Sequence, residues 1–143
     1  MKKITALLFA LLSLSSARAD IYVIVASSNP LQSLTQKEVQ SLYMGRSRAL
    51  VPGDFAQVLD LPRDTPVRDQ FYLALTGMST AQVNSYWARL VFTGQTLPPK
   101  EHASEQAIIE QVRRNKAAIG YVSKEPTDAS LRTILVIKTH SPS

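Results

Sequence analysis

The segment Ile21 to Ala26 is an unbroken apolar run, IYVIVA, rich in β-branched side chains, and it constrains the fold more than any other feature of the chain. A strand that is apolar at every position has to be covered on both faces, the pattern of a parallel sheet with helices on either side. The run stops at Ser27-Ser28-Asn29-Pro30, a turn. Thr35 and Glu38 then stand at the spacing of a capping box and Leu34 and Val39 at that of a hydrophobic staple, so a helix is predicted to start near Thr35. Gly45 closes it, and Val39, Leu42 and Tyr43 form its inward side at helical spacing.

The same signals alternate along the rest of the chain. After the Pro52-Gly53 turn, Ala56 to Leu61 reads as a second strand. Pro62 to Asp64 leads into a second helix with Thr65 as N-cap, Pro66 at the first helical position and Val67, Phe71 and Leu75 as its core stripe. Gly77 ends that helix, and Ser79 with Gln82 makes another capping box opening a third, which carries Tyr86, Trp87, Leu90 and Val91. Thr93 to Ala103 reads as a loop, Ser104 opens a fourth helix to about Asn115, and Ala118 to Ser123 and Thr133 to Lys138 are the last strands. The order predicts an α/β layer fold, a mainly parallel sheet flanked by helices, in one compact domain.

Residues 1 to 19 have the build of an export signal: Lys2 and Lys3, the apolar stretch Ile4 to Leu14, and the small-residue site Ala17-Arg18-Ala19. The expected mature domain is therefore 20–143, and its expected location is the periplasm. The apolar stretch is far shorter than the ~20 residues of a spanning helix, so no membrane anchor is expected. Lys2, Lys3 and Arg18 are three of the 16 basic residues, which leaves 13 against 11 acidic ones and a net charge of +2. With no long basic run, a nucleic-acid surface is not indicated. The absence of cysteine removes disulfides, thiolate metal sites and lipidation at cysteine.

In open α/β sheets ligands collect at the carboxyl ends of strands, where helix N-termini favour anions. Two segments qualify: Ser27, Ser28 and Asn29 after the first strand, and Arg63, Asp64, Thr65 and Arg68 around the start of the second helix. Hydroxyls, an amide and two guanidinium groups are donors suited to a phosphate-like oxyanion, and Asp64 could accept from a protonated one. Each residue also has a plain structural reading, with Thr65 as a cap, Asp64 as a carboxylate favoured by the helix dipole in the first turn, Arg68 and Asp69 as solvated helix-surface charges, and Ser27 to Asn29 as a turn. Two isolated histidines, His102 and His140, with no paired metal ligands, nucleophile elbow or glycine-rich phosphate loop, give no support to an enzyme, a metal or a cofactor.

From Ile21 to Lys138 the chain resembles the phosphate-binding branch of the periplasmic solute-binding proteins of ABC importers. The strand and turn IVASSNP with the helix LTQKEVQSLYMG are similar to that family's "NP…LT…EL…IF.G" stretch. RDTPVRDQF is placed like its "GSGTR..F" oxyanion loop, and AAIGYV is like its "GAIGYV" strand. The resemblance implies one lobe of a type II periplasmic-binding-protein-like fold, where full importers have two. It carries over Thr65 and Arg68 directly, and Arg63 and Asp64 at a shifted spacing. Pro66 and Val67 stand where the family has Gly and Thr, so an N–H donor and a hydroxyl are lost. At ~1.5–3 kcal/mol for each charge-assisted bond, two such losses weaken affinity on the order of a hundredfold.

The expectation is thus a periplasmic protein that binds phosphate or a related oxyanion non-covalently as the substrate-binding component of an ABC permease. The alternative is an accessory or sensor-input protein that kept the fold, lost the ligand and recognises a membrane sensor or another protein partner. A third reading pairs two copies to rebuild a cleft.

Overall fold

The computed structural model describes residues 20–139; the expected export signal and His140 lie outside them. Eleven elements follow in order: β1 (Ile21–Ala26), α1 (Gln36–Tyr43), β2 (Ala49–Val51), β3 (Asp54–Phe55), β4 (Gln57–Asp60), α2 (Pro66–Thr76), α3 (Thr80–Phe92), β5 (Lys100–Glu101), α4 (Glu105–Arg114), β6 (Ala118–Val122) and β7 (Leu131–Ile137). Five strands form the central sheet in the order β5-β4-β6-β1-β7, while β2 and β3 make a separate hairpin. This is the α/β class expected from the pattern. The capping boxes are in place: Thr35 Oγ1 accepts from the Glu38 amide, Ser79 Oγ from that of Gln82, and both acidic or amide partners reach back.

The expected direction of the sheet needs correcting. β4 runs parallel to β5 and β6, but β1 is antiparallel to both its neighbours, β6 and β7. The sheet is evenly mixed instead of mainly parallel. Burial of β1 on both faces is real, with five of its six residues buried, yet burial reports only that layers cover the strand. Direction is fixed by the connections, which a single run of apolar residues does not contain. The short strands β2, β3 and β5 are also additions to the sequence reading, since two- and three-residue pairings carry no usable period.

Successive residues of β6 show how the layers are arranged, because neighbouring side chains in a strand point to opposite faces. At Gly120 a methyl group would run into Ile108 of α4, with Val112 also nearby, so α4 covers that face at close range. Tyr121 points to the other face, where it stacks on Phe71 of α2 at 3.8 Å between ring centroids and meets Tyr43 of α1 edge-on at 5.8 Å. The Tyr43 hydroxyl donates to the Leu59 carbonyl over 2.8 Å. α3 packs against α2 and sets Trp87 against Gly45, whose φ of +71° and lack of a side chain allow the close approach.

Candidate functional site

Because β4 and β6 are parallel, the carboxyl ends of both lie at one end of the sheet, and β5 ends there too. Both helices that follow, α2 after β4 and α4 after β5, therefore present their N-termini at this end. The start of α4 is already occupied. Ser104 caps it, and the Glu105 carboxylate accepts from the Ser123 amide and from Ser123 Oγ. The start of α2 is different. Thr65 is extended, with φ −85° and ψ 124°, and its hydroxyl makes no capping bond, whereas the N-cap side chains of α1, α3 and α4 all do. Pro66 has no amide proton, so the donors this end offers are the amides of Val67 and Arg68. Arg63 stands beside it, exposed and 3.8 Å from Glu101; Asp64 is exposed as well.

Arg68 is not at the surface where the sequence placed it. It is 5% exposed, and its Nε lies 3.4 Å from Oδ2 of Asp60, itself 2% exposed. Asp60 ends β4 and gathers a set of buried donors. The Tyr72 hydroxyl donates over 2.6 Å, that of Tyr121 over 2.5 Å and the Leu61 amide over 2.8 Å. The Arg68 guanidinium also lies over the Tyr72 ring at 4.8 Å, and its Nη1 is buried without a partner among the described residues. Burial, and then the Asp60 charge, hold the hydroxyls of Tyr43, Tyr72 and Tyr121 well above the usual phenol range. The reason Arg68 turns inward is register. It precedes Tyr72 by four residues, so the two share the face that also carries Phe71 and Leu75. Val67, expected in the core stripe, is half-buried at its border. Asp60 escaped the sequence reading; the available signal was one acid within the apolar stretch Ala56 to Leu61.

Ser27, Ser28 and Asn29 are not brought to this place. β1 runs antiparallel to β6, so its carboxyl end meets the start of β6 at the opposite end of the sheet. Ser27 and Ser28 are exposed there, and Asn29 is buried for structural reasons. Asn29 Nδ2 donates to the Lys116 carbonyl over 2.6 Å, and its Oδ1 accepts from the Leu31 amide over 2.8 Å. Arg132, which the sequence reading did not single out, ties the turn down through the carbonyls of Ser27, Asn29 and Leu31. The two candidate segments therefore do not form one site.

Among the described residues no group of three His, Cys, Asp or Glu side chains is placed to hold a metal ion, and no helix is long and apolar enough to cross a membrane. What remains at the carboxyl end of β4 is an open helix N-terminus, an exposed guanidinium and an exposed carboxylate. That combination can hold an anion by hydrogen bonds and charge; it contains no activated nucleophile.

No family model and no curated protein matches the chain. Solved structures do. One is assigned as a phosphate ABC transporter substrate-binding protein from Clostridium perfringens, determined with bound phosphate; it matches with a TM-score of 0.64 and 21% identity over 81% of this chain and 45% of its own. Another, an ABC-type phosphate transport receptor from Vibrio cholerae, matches with a TM-score of 0.62 and 19% identity over 81% and 46%. The fold is thus the one found in the matched part of these two structures. The chain spans less than half the length of either.

Proposed function

We propose that this chain binds phosphate or a closely related oxyanion without covalent chemistry, at the N-terminus of α2, as a solute-binding component exported to the periplasm and serving an ABC permease. The observation that carries the reading is the uncapped start of α2 at the carboxyl end of β4, where free amides and the positive end of the helix dipole favour an anion. The likeness to proteins described as phosphate-binding supports the choice of oxyanion. In this reading the Val67 and Arg68 amides and the Arg63 side chain are the donors, Asp64 accepts from a protonated oxyanion, and Thr65 turns its hydroxyl from capping to the ligand. Arg68 contributes its amide, while its guanidinium stays with Asp60.

Thermal unfolding tests this directly. Ligand at a hundred times its dissociation constant adds ~2.7 kcal/mol, which for a domain of this size is a rise of several degrees, about 4–8 °C per kcal/mol for 60–100 residues and less for longer chains. The expected result is a rise in millimolar phosphate that exceeds both sulfate and a matched-ionic-strength control, and that Arg63→Ala reduces. Equal melting temperatures in all buffers overturn the proposal.

The accessory reading is favoured by one observation: Pro66 and Val67 remove two donors from the only uncapped helix start among the described residues. Under that reading phosphate leaves the melting temperature unchanged, and the end of the sheet carrying α2 binds a protein partner instead.

A further inference from the structure

We propose a second binding site, for a small molecule with an apolar body and one negative group, in the groove between the β2–β3 hairpin, the segment 96–99 and the edge strand β5. The groove encloses about 640 Å³, within the roughly 300–1,000 Å³ typical of small-molecule sites. None of the candidate oxyanion residues lines it. Leu59 and Trp87 are buried in its wall, and Phe55 and Leu97, which also line it, are 77% and 80% exposed, so the groove offers apolar surface to a ligand. No carboxylate lines the groove, but Arg48, Lys100 and His102 do. Among the described residues neither Arg48 nor Lys100 is in an ion pair. Trp87 Nε1 and His102 Nε2, in residues that line the groove, are buried without a hydrogen-bond partner among the described residues. A bare phosphate would leave the apolar wall unused and a neutral hydrocarbon would leave both cations unused, so the complementary ligand is an amphiphilic anion such as an aryl-alkyl carboxylate.

Trp87 is the only tryptophan of the chain, so its fluorescence reports on this wall. The full chain is titrated with phenylbutyrate and with its neutral counterpart phenylbutanamide at constant ionic strength. The expected result is a saturable change with the carboxylate, at least tenfold tighter than the amide, a difference of about 1.4 kcal/mol, and unaffected by phosphate. Arg48→Glu with Lys100→Glu removes that preference while leaving the melting temperature of the free chain unchanged, since both side chains are exposed. The proposal is overturned by the absence of a saturable signal, by equal affinity for the two compounds, by a charge-reversed variant that retains the preference, by competition from phosphate, or by sedimentation showing that two copies close over the groove.

Discussion

Asp60 is the residue on which one end of the fold depends. Its carboxylate receives Tyr72, Tyr121, the Leu61 amide and Arg68, joining β4, β6 and α2 by one side chain. Removing one member of a buried charged pair strands the others, so Asp60→Ala should lower the unfolding free energy by about 3–5 kcal/mol in denaturant titration. Asp60→Asn, which keeps an acceptor, should have a smaller effect. The tyrosines supply a pH prediction. Their pKa values in the folded chain are raised above the ordinary phenol value of 10.0, so the stability they contribute is complete below pH 10 and declines as pH rises above it, because only the unfolded chain releases those protons there. Phenolate absorbance should show Tyr43, Tyr72 and Tyr121 ionising together with unfolding; their titration in the folded protein near pH 10 would contradict this. From the sequence, Arg68 read as a solvated ligand donor. Its burial depends on an acid eight residues earlier that only the β4 to α2 turn brings within reach.

At the scale of elements, helix starts were the most legible feature. Thr35 with Glu38 and Ser79 with Gln82 act within one turn, so their spacing alone determines the cap. Thr65 shows the limit of that rule. It occupies the N-cap position as expected, yet its hydroxyl does not cap, which leaves the start of α2 open. Restoring donors there with Pro66→Gly and Val67→Thr should tighten phosphate binding on the order of a hundredfold, read by calorimetry; unchanged affinity would place the anion elsewhere. The contact between α4 and β6 is a second element-level test. Gly120→Ala drives a methyl into Ile108, and overpacking of this kind destabilises by about 1–3 kcal/mol, measurable as a lower denaturation midpoint. The sequence marked Gly120 only as part of a motif; its packing role required α4 to be seen lying over it.

For the whole molecule, the described chain begins and ends at the same end of the sheet as the α2 N-terminus. β1 starts where β7 stops, and Lys138 pairs with Asp20 at 2.9 Å. The proposed oxyanion site therefore lies at the end of the sheet where β1 starts and β7 stops. The chain spans less than half the length of those structures, and the proposed site is built at one end of a single sheet. Small-angle scattering should therefore give the same radius of gyration with and without phosphate, and a compaction on adding it would refute the one-sided site. The α/β class, the helix starts and the burial of β1 were determined by the sequence, because capping, amphipathic period and an unbroken apolar run act over a few residues. Tertiary structure alone decided that Ser27–Asn29 and Arg63–Arg68 lie at opposite ends of the sheet and that Arg68 turns inward to Asp60. Strand direction and long-range charge pairing are set by how connections cross the sheet, and no local run of residues encodes that path.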